Sequence, residues 1–234
     1  ELPVSDEDIA PDDRFNQTID AFPAGGKIAE MVFSTSTNLI YLTIKNSSGE
    51  KLMEIDVMKN VRTLNRSGET INGMAASDRY GTLFINSKIG NTKQILSLGV
   101  GDRHVISKSA DDRILGVRDG KIYVGEVKDN ALVKIKTTED LSEIKDNPSF
   151  KTEWEGSIPF AGNATTLIGS KGQVIINNQE TAYIITAGKM ETISLQGDQN
   201  FISDDGAELI QLEKTGVSTL VKLKPLKEDK QQKS

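Results

Sequence analysis

Between residue 15 and residue 224 the chain is a succession of short apolar or β-branched runs. Each is closed by Gly, Asn, Asp or Ser, with hardly a 3.6-residue period among them. Leu39–Ile44 turns through Asn46-Ser47-Ser48-Gly49 into Leu52–Val57. Leu83-Phe84-Ile85 turns at 88–91 into Gln94–Leu98, and Ile114–Val117 turns at Asp119-Gly120 into Ile122-Tyr123-Val124. An Asp-Gly pair between two such runs predicts a type I′ hairpin, because both central residues of that turn need positive φ. Further strands are predicted at Gln173–Asn177, Ala182–Thr186, Glu191–Leu195, Leu209–Leu212 and Thr219–Leu223. Pro3, Pro11, Pro23, Pro148, Pro159 and Pro225 fall outside these runs, where a missing N–H costs no ladder bond. One helix is predicted over Thr137–Lys145, with a Thr cap, acids at 139 and 140, and Leu141 three residues before Ile144.

The runs repeat in a degenerate way. An apolar stretch leads into a small polar turn, usually opened by Ser, at Phe33-Ser34-Thr35, Ala76-Ser77-Asp78, Ile106-Ser107-Lys108-Ser109, Gly169-Ser170-Lys171-Gly172 and Ile202-Ser203-Asp204-Asp205-Gly206. The widest interval, between the third and fourth copies, holds the predicted helix and Trp154, so residues 137–163 are expected to be an insertion. These turns resemble those of TolB-type and WD-like β-propeller repeats, although no copy carries a Trp-Asp pair. The resemblance implies an all-β propeller of five irregular blades over residues 15–224, with one short inserted helix. The physics agrees, since a small sheet that is apolar on both faces must be covered by neighbours. A β-sandwich or an open sheet stack built from the same hairpins is the alternative. The last copy supplies only three strands, and Phe15–Phe22 is expected to close its sheet and hide an exposed edge.

Charge is concentrated at the ends. Residues 1–13 hold Glu1, Asp6, Glu7, Asp8, Asp12 and Asp13 and no base, and five lysines lie from Lys222 onward. Residues 1–14 and 225–234 are therefore expected to be solvated tails that either attract each other or engage charged partners. With 28 basic against 34 acidic side chains, broad attraction to nucleic acid is not expected. No cysteine is present, so thiol catalysis, disulfides and Cys-based metal sites are excluded. A single histidine, His104, argues against His-based triads and metal clusters. The acidic pairs Asp111-Asp112, Asp204-Asp205 and Glu153/Glu155 each fit a solvated turn or strand face.

With no cofactor motif, binding is the expected function: a non-catalytic module that takes a protein partner. The start at Glu1 rather than Met fits a removed secretory signal or anchor and a piece of a larger cytoplasmic protein equally well, and the family resemblance favours an extracytoplasmic setting, secreted or on an anchor outside this chain. The alternatives are a cell-surface carbohydrate-active enzyme with axial carboxylates, for which carbohydrate is the ligand, and an extracellular sensor domain. Trp154, the single Trp, and Phe160 are the candidate partner anchors, with packing of the insertion against the ring as the competing account. Deletion of residues 15–22 is expected to lower the melting temperature sharply; an unchanged melting curve would refute the closing strand.

Overall fold

The computed structural model describes residues 26–47, 49–58, 60–99, 102–138, 144–160, 164–178, 181–195, 199–202, 208–215 and 218–225. They form antiparallel meanders arranged as a β-propeller. Blade 1 is β1 (Lys27–Ser34), β2 (Leu39–Asn46), β3 (Gly49–Ile55) and β4 (Val61–Thr63). Blade 2 is β5 (Glu69–Ala76), β6 (Leu83–Ile89), β7 (Thr92–Leu98) and β8 (Arg103–Ser107). Blade 3 is β9 (Asp112–Arg118), β10 (Lys121–Lys128), β11 (Ala131–Thr138) and β12 (Phe150–Pro159). Blade 4 is β13 (Thr165–Ile168), β14 (Val174–Asn178), β15 (Thr181–Thr186) and β16 (Lys189–Ser194). A three-stranded sheet follows, β17 (Gln199–Ile202), β18 (Glu208–Thr215) and β19 (Ser218–Pro225). The expectation of five blades with an inserted helix is thereby corrected to four four-stranded blades, with no helix among the described residues.

The first strand of each blade is innermost: β1 lies against β5, β5 against β9, and β9 against β13. All four run the same way, so the ring has a top, where they begin, and a bottom, where their first turns lie. The expected Asp119-Gly120 turn is present with φ of 51° and 71°, joining the pair Arg118↔Lys121.

Cores form between blades. Tyr41 and Leu52 of blade 1 pack with Ile71, Met74, Leu83, Ile85 and Leu96 of blade 2. Phe84, Ile95 and Ile106 of blade 2 meet Ile122 and Val124 of blade 3. Leu115, Leu132, Ile135 and Trp154 of blade 3 meet Val174, Ile176 and Ile185 of blade 4. Leu42, Ile44, Met53 and Ile55 form a separate buried cluster on the other face of blade 1. Strands that are apolar on both faces are what this stacking demands.

Polar side chains lace the blades at two levels. Near the axis, β1, β5 and β9 each carry a bulge, at Ala29, at Asn72-Gly73 and at Leu115, which takes backbone groups out of the ladder. Glu30 Oε1 accepts from the Met74 N–H at 2.9 Å. Asn86 donates to the Asn72 carbonyl at 3.2 Å and accepts from the Ile114 N–H at 3.2 Å, joining blades 2 and 3. Thr166 donates to the Leu115 carbonyl at 2.5 Å, joining blades 4 and 3. Gly73 has φ of +131°, and a Cβ there would lie 2.7 Å from Asn86 Nδ2. At the bottom, Ser36 donates to the Ser77 carbonyl at 3.2 Å. The Asp78 carboxylate accepts from the Asp119 and Gly120 N–H groups at 2.7 and 3.2 Å. The Ser/Asp turns thus satisfy the next turn round the ring.

Three sequence expectations fail for identifiable reasons. Thr137 and Thr138 do not cap a helix but end β11: Thr137 donates to Glu153 Oε1 at 2.9 Å, and Thr138 Oγ1 accepts from the Ile122 N–H at 3.3 Å. Beyond them, the Asn147 N–H bonds the Val105 carbonyl at 2.7 Å and Asp146 Oδ1 accepts from the Val105 N–H at 2.7 Å. Those bonds hold 144–149 against the edge of β8, and the stretch 137–163 supplies β12 rather than an insertion. The third repeat copy lies one element early. Ser107–Asp111 joins blade 2 to blade 3, whereas Arg118–Lys121 is the turn equivalent to Ser34 and Ser77. Pro159 and Pro225 are not outside strands; they are the last residues of β12 and β19, at the ends of edge strands. The segments 1–14, 15–22 and 226–234 lie outside the described residues. Asn86→Ala leaves the Ile114 N–H and Asn72 carbonyl without partners and should cost about 1–3 kcal/mol in chemical denaturation.

Candidate interaction surface

Trp154, one of the two expected anchors, is 6% exposed. It sits on β12 opposite Ile135 and fills the core between blades 3 and 4. The indole ring folds back along its own strand, so that a Cβ on Gly156 would collide with Trp154 Cζ2. Phe160 is half-buried against the same core. The structure therefore brings the two residues to one core, which buries Trp154 and covers part of Phe160.

The buried acids are held by cations. Glu69 lies at the start of β5, its carboxylate 2.5 and 2.7 Å from Arg103 Nη2, with the Arg66 N–H at 2.9 Å and the Ser87 hydroxyl also bonded. Burial works to raise this carboxyl, but the Arg103, Ser87 and Arg66 donors outweigh it and hold it below the usual range. Asp112, read from sequence as a solvated turn residue, is buried: Lys136 Nζ lies 2.8 and 2.9 Å from its oxygens and the Ser107 hydroxyl at 2.6 Å. Glu153 and Glu155 pair with Lys151 and Lys134 at the surface. Asp204 and Asp205 lie outside the described residues. His104, on the edge strand β8, has Nδ1 3.7 Å from Asp146 Oδ1. Among the described residues no three His, Asp or Glu side chains gather to hold a metal ion.

What the sequence reading missed is an apolar surface at the bottom of blade 1. Met31 and Phe33 of β1 are 63% and 55% exposed, and Val57 and Met58 are 76% and 79% exposed. Phe33, Ile40 and Ile55 form one cross-strand row, and the 56–60 loop continues directly from Ile55. That loop is held by one side chain. Asp56 Oδ1 accepts from the N–H groups of Met58 at 2.9 Å and Asn60 at 2.8 Å, and Oδ2 accepts from the Asn60 amide at 2.8 Å. These bonds, the Asn60 side chain's first, keep the Asp56 carboxyl below its ordinary value. Val57 continues the alternation of Met53 and Ile55, which extends the expected strand to it, whereas β3 ends at Ile55. The Asp-x-x-x-Asn pattern that turns the chain immediately after Ile55 was the available signal.

A second surface lies at the top, in a cleft of about 170 Å³ between blades 2 and 3. It is lined by Lys88 and Lys93 of the β6–β7 hairpin, Arg113 of β9, and the amides of Asn72, Asn86 and Gln94.

No protein-family model matches the chain, and no curated protein does. Solved structures do match. TolB from Acinetobacter baumannii superposes with a TM-score of 0.58 at 10% identity, over 86% of this chain and 52% of that one. A chain of a nidogen/laminin complex gives 0.56 at 15% identity, over 80% of this chain and 72% of that one. An acylaminoacyl peptidase from Pyrococcus horikoshii gives 0.51 at 8% identity, over 88% and 39%. The chain spans about half the length of the TolB chain, and the likeness establishes the β-propeller fold. Trp154→Ala should cost about 3–5 kcal/mol in a denaturant melt, the range for deleting a core aromatic; near-wild-type stability would return it to the role of surface anchor.

Proposed function

We propose that this propeller is a non-catalytic interaction module that binds a protein partner through the apolar bottom of blade 1. The observation that carries the reading is the group Met31, Phe33, Val57 and Met58, large apolar side chains that stay in solvent beside the buried cluster of Leu42, Ile44, Met53 and Ile55. Exposed apolar patches on a rigid frame are where partners dock. Asp56 pre-organises the loop, so little ordering entropy is lost when Val57 and Met58 are covered. Thioether side chains fit irregular apolar pockets, which suits Met31 and Met58 to the centre of such a contact.

The fold likeness to TolB and to a nidogen/laminin complex supports an interaction role, and the setting we assign is an extracytoplasmic assembly. Charged substitution at the patch is the test. Phe33→Asp and Met58→Asp should each reduce capture of the partner from the native source by tenfold or more, the effect of losing about 1.4 kcal/mol. Met190→Asp, at an exposed residue of blade 4, should leave capture unchanged, and all three variants should melt like the wild type. Equal capture by every variant would refute the surface.

A further inference from the structure

The cleft between blades 2 and 3 carries cations on both walls and no carboxylate free to balance them. On the wall of blade 2, Lys88 and Lys93 are direct cross-strand partners in the β6–β7 hairpin, so their side chains leave the same face of the sheet. Like charges in that relation destabilise a hairpin, and an anion shared between them removes the cost. Both residues are exposed, and neither ammonium bonds another described residue. On the wall of blade 3, Arg113 donates through Nη1 to the carbonyls of Ala110 and Asp112 at 2.8 and 2.7 Å, while Nη2 bonds no described residue. One side of the guanidinium is thus anchored and the other is left to donate. The single carboxylate in the lining, Asp112, is buried and already paired with Lys136 and the Ser107 hydroxyl. Asn86, also in the lining, bonds the Asn72 carbonyl and the Ile114 N–H, so the joint beneath the cleft is fixed and its walls keep their spacing.

We propose that this cleft binds a small dicarboxylate, one carboxylate received by Lys88 and Lys93 and the other by the Arg113 guanidinium. Three features select that class. The cations come from two different blades, so a ligand with two separated negative groups engages both walls at once, which a compact anion does less well. The planar fork of an arginine matches the edge of a carboxylate, while lysine ammonium groups act as point charges. The cleft volume of about 170 Å³ lies below the roughly 300 Å³ at which pockets for drug-sized ligands begin, which suits a chain of a few carbons rather than a peptide. Walls of one sign also focus the field and raise the local concentration of such an anion. The site lies at the top of the ring, away from the apolar surface at the bottom of blade 1, and the two readings stand or fall separately.

Titration of the full ¹⁵N-labelled chain with sodium succinate tests the site, with ionic strength held constant so that general screening does not change. The amide signals of Lys88, Gly90, Lys93 and Arg113 should shift together and saturate. Succinate should bind about tenfold or more tighter than acetate or inorganic phosphate. Lys88→Ala/Lys93→Ala and Arg113→Ala should each weaken succinate by about tenfold or more and keep the wild-type spectrum away from the cleft. Lys51→Ala, which removes an exposed lysine of blade 1, should bind succinate as the wild type does. The proposal is overturned by an absence of saturable shifts, or by acetate or phosphate binding as tightly as succinate. It is overturned equally if Lys51→Ala loses as much affinity as the cleft variants, since the attraction would then be that of any surface lysine.

Discussion

A small antiparallel sheet with apolar residues on both faces has no stable existence by itself. Every other feature of this molecule follows from how that burden is shared. Blade 2 shows it most plainly: Leu83 and Ile85 point to blade 1, while Phe84 of the same strand points to blade 3. Period-two alternation places consecutive residues of β6 in two different cores, each completed by a neighbour. The blades are thus bound to one another by the same side chains that make them strands.

Apolar burial alone does not fix how neighbouring sheets slide past one another, and the polar contacts do. Bulges in β1, β5 and β9 release backbone groups near the axis, and Glu30, Asn86 and Thr166 engage them across the joints. Each such bond is modest in net terms, but leaving a buried amide unpaired is costly, so the arrangement selects one alignment of the blades. At the bottom of the ring Asp78 does the same for the turn of blade 3. Burial pushes the Glu30 carboxyl above its ordinary value, against the pull of the Met74 amide.

Much of the architecture was legible because it is local. Hairpins such as Asp119-Gly120 announce themselves through turn chemistry, and the alternation in Leu39–Ile44 and Leu52–Ile55 marks a sheet buried on both sides. The misreadings arise where long-range contacts override a local signal. Thr137 looks like a helix cap until Glu153 is brought beside it by the β11–β12 pairing. Trp154 looks like an anchor in an irregular stretch until Val174 and Ile176 of blade 4 close over it. Asp112 follows another acid in a polar turn, and nothing local indicates that Lys136, two strands away, neutralises it. The apolar surface of blade 1 escaped notice for the opposite reason. Met31 and Phe33 alternate as core residues do, yet both stay exposed on β1.

The connection between β11 and β12 has a consequence for how this molecule comes apart. By reaching back to bond both backbone groups of Val105, it caps the outer edge of blade 2 with chain that belongs to blade 3. A bare strand edge recruits other chains, and here that hazard is met at the rim by a neighbour's loop. Peeling β8 away first requires this strap to lift, so fraying of one sheet is coupled to loosening of the next. The two blades behave as a single mechanical unit at the circumference as well as at the hub.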